Sequence, residues 1–155
     1  MKGLLLVSVV LGLALSLPVP EFQEKSMHNK CFLKRTSNFS CHVFAHTTFM
    51  EIPLLNARES GTKYTVEKFG FSEDNEYFIR GSAKNGWWSE DYQLVFKEKE
   101  NGDCSIDAKS QSKWFSFLPD WGTNYCNLAL ILDVLGYESQ ELYNCEDTVP
   151  WSECL

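Results

Sequence analysis

The sequence predicts a mainly β domain: an antiparallel meander sheet or small barrel, with one short helix in the C-terminal half, stapled by disulfides. Three observations predict it. Asn-Gly pairs at Asn85-Gly86 and Asn101-Gly102, sixteen residues apart, punctuate runs rich in β-branched and aromatic residues, the pattern of successive hairpins. Six cysteines follow a leader of secretory type, which places them where thiols pair. The chain is 44% hydrophobic and 14% aromatic with 23% charged residues, enough apolar surface to build a core.

The leader comes first. Lys2 precedes an apolar run from Gly3 to Leu15, and Ala14-Leu15-Ser16 offers small residues for cleavage, so residues 1–16 read as a signal peptide. Residues 17–30 carry Pro18 and Pro20 without hydrophobic periodicity and read as a flexible leader. Residues 31–155 are then one secreted domain, since the 139 residues left after cleavage suit one core rather than two.

Cys41 to Phe49, with Val43, Thr47, Thr48 and two phenylalanines, has strand composition. Pro53 should end it, and Asn56–Thr62 reads as a polar loop. Lys63–Phe71 is the next strand, and Ser72-Glu-Asp-Asn75 supplies turn chemistry before a third at Glu76–Gly81. Asn85-Gly86 reverses the chain into Trp87-Trp88 and Tyr92–Phe96, and Asn101-Gly102 leads to Cys104–Ala108. Trp114–Leu118 is a further apolar strand candidate. Thr123–Leu135 reads as a helix or a strand, since periodicity alone does not separate short apolar runs; a helix is favoured because Thr123 would cap it and Gly136 would end it, and Glu141–Leu155 reads as an extended tail tied down by Cys145 and Cys154.

Charge and cysteine usage narrow the function classes. Loss of Lys2 leaves 13 Lys and Arg against 21 Asp and Glu, a balance of −8, which opposes nucleic acid and anionic membrane surfaces as partners. No later apolar run reaches the roughly 20 residues needed to span a bilayer, so no stable membrane anchor is expected. Cys31, Cys41, Cys104, Cys126, Cys145 and Cys154 admit fifteen pairings; proximity favours 31 with 41, 104 with 126, and 145 with 154. Zinc ligation is disfavoured because no two cysteines stand two to four apart. Asn38-Phe39-Ser40 is an N-glycan acceptor.

Catalytic constellations are absent from the pattern. There is no Gly-x-Ser-x-Gly elbow, and the adjacent carboxylates Glu73-Asp74 and Glu90-Asp91 point apart on any regular element. His42 and His46 would lie together on a helix, but on the expected strand they stand about 13 Å apart, too far to share a metal. The expectation is no enzyme, no metal and no cofactor. The aromatics carry more information. Trp87, Trp88, Trp114, Trp121 and Tyr125 crowd two segments, and consecutive tryptophans on a strand face opposite sides. One of Trp87 and Trp88 must therefore leave the core unless both faces are covered, and an exposed indole stacks on a sugar, grips a partner or lines a pocket mouth; the competing reading is that a small β domain uses these tryptophans to fill its core.

Two segments resemble known secreted families. Phe117-Leu-Pro-Asp-Trp-Gly-Thr-Asn-Tyr125 with Leu128–Leu132 resembles the late-strand motif of lipocalins over about fifteen residues, which implies a β-barrel carrying a small hydrophobic ligand; an early Gly-x-Trp is missing. Val149-Pro150-Trp151 resembles the Pro-Trp hairpin of secreted cystatins, and Gln93-Leu-Val95 their Gln-x-Val-x-Gly loop, which Phe96 and Lys97 break.

The expectation is a secreted, monomeric, non-catalytic binding module that holds a small hydrophobic or sugar-like ligand, or an extracellular protein partner, with Trp87, Trp88, Trp114, Trp121 and Tyr125. The alternative is a protease inhibitor or effector that presents a disulfide-held loop, with Pro150-Trp151 as the candidate.

Overall fold

The computed structural model describes residues 19, 21–22, 29–57, 61–113, 122–133, 141–145, 148–149 and 154. The signal peptide, the strand candidate at 114–118, Trp114, Trp121 and Pro150-Trp151 lie outside the described residues. The chain runs β1 (Lys30–Ser37), α1 (Cys41–Glu51), a 3-10 helix (Ile52–Ala57), β2 (Lys63–Phe71), β3 (Tyr77–Asn85), β4 (Trp88–Glu98), β5 (Cys104–Ser112), α2 (Thr123–Asp133) and β6 (Glu141–Cys145). The six strands form one antiparallel sheet in the order β2-β3-β4-β5-β1-β6. Strands β2 to β5 are the predicted meander. The sheet is open, with β2 and β6 at its edges, so the barrel that the lipocalin resemblance implied does not form; Gly122 is a turn residue and Thr123–Asp133 is helical, not a strand of a barrel wall.

Strand alternation sorts the side chains. In register across the sheet, Leu33, Ala108, Leu94 and Ile79 form one row, and Arg35, Ile106 and Phe96 the next; all are buried. Both helices pack on this face, α1 across β3, β4 and β5, and α2 across β5 and β1. The opposite face carries a charged ladder in which Glu76 and Asp107 each pair with Lys97, and Asp107 also with Lys34. One apolar and one charged face is the usual state of an antiparallel sheet covered on one side.

Two of the three hairpins, β2–β3 and β4–β5, repeat one device. Ser72 N–H donates to Glu76 C=O and Asn75 stands at φ 59°; Lys99 N–H donates to Asp103 C=O and Gly102 stands at φ 85°. Each is a three-residue loop whose last residue takes the left-handed conformation, which Asn and Gly tolerate best. Gly81 meets a different need: a Cβ there would lie 2.1 Å from the Thr65 carbonyl and 2.4 Å from the Tyr92 hydroxyl. Tyr92 donates to that same carbonyl at 3.1 Å, beside the register shift between Val66 and Lys68.

Cys41–Glu51 is a helix, not the predicted strand. Its buried residues Cys41, Phe44, Ala45 and Thr48, continued by Ile52 and Leu55 in the 3-10 turn, follow the helical period, and this outweighs the strand preference of Val43 and Thr47. Ser40 C=O accepts the first helical bond from Phe44 N–H, and the Glu98 carboxylate of β4 accepts from Cys41 N–H at 3.2 Å, where a helix N-terminus favours negative charge. At the other helix, Arg35 of β1 donates to Leu132 C=O at 2.6 Å, placing a cation at the C-terminal end of α2.

All six cysteines are paired, but none of the three pairs that proximity favoured, 31 with 41, 104 with 126 and 145 with 154, is formed. Cys31 bonds Cys145, Cys41 bonds Cys104 and Cys126 bonds Cys154, across separations of 114, 63 and 28 residues. The sheet order is the reason: β1 lies between β5 and β6, with Cys31 opposite Cys145, so chain-distant cysteines become spatial neighbours. Chain-entropy estimates for such loops are about 3.5 to 5 kcal/mol each.

Candidate functional site

The β3–β4 hairpin brings the two tryptophans to the surface. Asn85 pairs with Trp88, leaving Gly86 and Trp87 as a two-residue loop in which Gly86 takes φ 58° and Trp87 does not share the left-handed region, the pattern of a turn with glycine first. Trp87 therefore sits in the turn rather than on the strand, and the two indoles do not face opposite sides. They stack, with centroids 4.3 Å apart and planes 28° from parallel. Trp88 is half-buried and Trp87 is 71% exposed. That leaves on the order of 150 Å² of indole in water, whose burial by a ligand is worth about 3–4 kcal/mol before ordering costs.

An open cleft of about 340 Å³ adjoins the exposed ring, lined by Lys84, Gly86, Trp87, Ser89 and Lys113. Lys113 is fixed there twice: its N–H donates to Ser89 C=O at 2.8 Å and its ammonium pairs with Asp91 at 2.9 Å. Asn85 ties the base of the hairpin to the preceding segment by donating to the Thr62 hydroxyl. The cleft thus combines a flat apolar wall, two ammonium groups and a serine hydroxyl on a turn held by the sheet.

A larger open cleft of about 410 Å³ runs over β5, β1 and β6 on the charged face, beside Phe32, Lys34, Asp107, Lys109 and Asn144. Its charged groups already engage one another, Lys34 with Asp107 at 3.8 Å and Lys109 over the Phe32 ring at 5.1 Å. Lys113 of the smaller cleft is likewise paired, with Asp91 at 2.9 Å, so what distinguishes that cleft and favours it as the contact site is the exposed Trp87 indole.

Of the remaining aromatic candidates, Tyr125 is a core residue on α2, 8% exposed. The buried carboxylate of this region, Glu90, accepts from Asn127 Nδ2, and Asn127 Oδ1 accepts from Tyr64 Oη at 3.0 Å. This network lies between sheet and α2 and serves their registration. Gln93-Leu-Val95 lies in the middle of β4 rather than in a loop, so the cystatin-like loop is not formed. Asn38 is exposed in the bend between β1 and α1.

Histidines 42 and 46 differ most from expectation. On α1 their rings are 4.6 Å apart, not separated along a strand. Among the described residues no three His, Cys, Asp or Glu side chains converge as a metal-binding group, and no helix is long and apolar enough to cross a membrane. Scans against protein-family models, curated proteins and solved structures find no match to this chain.

Proposed function

We propose that the chain is a secreted, non-catalytic binding module that holds a sugar-like ligand against the Trp87 indole, with preference for one bearing an acidic substituent. One observation carries the reading: an indole 71% exposed, stacked on a second and bordered by Lys84, Ser89 and Lys113. The apolar face of a pyranose ring stacks on an exposed indole as other flat apolar groups do, hydroxyls bond to serine and ammonium groups, and a carboxylate or sulfate is matched by Lys84, with Lys113 shared with Asp91, in a chain of otherwise acidic balance. Three disulfides support an oxidising, extracellular setting.

A panel of immobilised neutral and acidic oligosaccharides tests the reading. The wild-type protein is expected to retain acidic members, and Trp87→Ala to weaken that retention by about 30-fold or more, the effect of truncating a central tryptophan contact. Equal retention by both proteins, or none on the panel, would refute it. An N-glycan at Asn38 belongs to the same reading; a mass loss on enzymatic deglycosylation, absent in Asn38→Gln, checks it.

A further inference from the structure

At the other end of β3, a second set of groups bears on a different chemistry. We propose that His42 and His46 form a two-imidazole site for a divalent transition-metal ion on the surface of α1. The two rings are four residues apart on one helix face, both exposed, with centroids 4.6 Å apart. A metal bound at about 2.1 Å from each ring nitrogen holds ring centres about 4.5–5.2 Å apart for ligand angles between square and tetrahedral, so the existing spacing needs little adjustment.

Each ring is already held. His42 Nδ1 lies 3.0 Å from the Tyr77 hydroxyl oxygen. When Nδ1–H donates to that oxygen, the Nε2 lone pair is left for the metal, the arrangement in which an outer partner fixes the tautomer of a ligating histidine. His46 packs edge-on against Phe69 at 4.9 Å, and Phe69 is in turn stacked on Phe49 at 4.7 Å with planes 16° apart. Holding the rings in advance reduces the entropy lost on chelation. With no third convergent His, Cys, Asp or Glu among the described residues, the remaining coordination positions fall to water or to an added ligand. Imidazole donors select copper, nickel and zinc over calcium and magnesium.

The test uses the full disulfide-bonded protein, prepared without a histidine tag. Equilibrium dialysis against Cu²⁺, Ni²⁺, Zn²⁺ and Ca²⁺ salts is expected to give one bound ion per chain, with Cu²⁺ tighter than Ni²⁺ or Zn²⁺ and no uptake of Ca²⁺. His42→Gln and His46→Gln are each expected to weaken Ni²⁺ binding by about 100-fold or more, because the chelate becomes a single contact. His28→Gln is expected to leave binding unchanged, and Tyr77→Phe to weaken it by about 10-fold through the lost outer partner. Absence of Ni²⁺ and Cu²⁺ uptake by the wild-type chain would overturn the proposal. So would retained uptake in either the His42 or the His46 variant with circular dichroism unchanged, or an equal loss in His28→Gln.

Discussion

The two ends of β3, about 26 Å apart at strand rise, expose aromatic rings in opposite ways. At the Tyr77 end, the rings of His42, His46, Phe49, Phe69, Phe71 and Tyr77 form a continuous set of contacts between α1, β2 and β3. At the Asn85 end, Trp87 and Trp88 have chiefly each other, on a two-residue turn. Rings shared among three elements hold the fold together and orient polar groups at its surface. A ring carried on a turn adds little to the fold and is free to meet a ligand.

Breaking the anchor of the first end should have the largest effect. The Cys41–Cys104 disulfide pins the start of α1 to β5, and replacing both cysteines by serine is expected to cost about 4 kcal/mol in denaturant unfolding, with amide exchange rising in α1 before the β3–β4 hairpin. Uniform loss of protection along the chain would remove the distinction between the two ends. Next in size, Phe69→Ala is expected to cost about 2 kcal/mol, below the range for a fully buried ring because Phe69 is half-buried. The same measurement on Trp87→Ala is expected to stay within about 0.5 kcal/mol of wild type. Comparable losses in the two variants would contradict the comparison.

Tyr92 of β4, opposite Gly81 at the middle of β3, supplies a pH-dependent probe. Burial, then the nearby Glu67 carboxylate and Tyr64, push its phenol above its ordinary value of 10.0. A group raised on folding contributes stability that is fully present below the unfolded pKa and is lost as pH rises through the folded one. Stability should therefore fall above about pH 10 in wild type, and the fall should be shallower in Tyr92→Phe, which at neutral pH costs about 1 kcal/mol for the lost bond to Thr65. Identical alkaline slopes would rule Tyr92 out as the source.

The meander was legible because its turns are written locally: Ser72–Asn75, Asn85-Gly86 and Asn101-Gly102 mark three reversals that the sheet makes. Helix α2 was favoured over a strand only through its bounds, Thr123 and Gly136, since eight of its eleven residues are buried, the polar Asn124 and Asn127 among them, and burial all round leaves no polar face to mark a helical period. Helix α1 was misread because β-branched and aromatic composition was weighed above the spacing of Cys41, Phe44, Ala45, Thr48, Ile52 and Leu55, which carries the helical signal. That error also separated His42 from His46. The disulfide pairing was illegible for a different reason: β1 pairs with β5 and β6, partners more than 65 residues away in sequence, and no local pattern announces such neighbours. The exposure of one tryptophan followed from the adjacency of Trp87 and Trp88, although the turn achieves it by taking Trp87 off the strand.

The central claim is that Trp87 is the contact surface, and intrinsic fluorescence tests it most directly. Titrating wild type and Trp87→Ala with the acidic oligosaccharide best retained on the panel should give a saturable change in the wild-type emission and a curve shifted by at least about 30-fold, or flat, in the variant. Superimposable curves would place the ligand elsewhere and contradict the account.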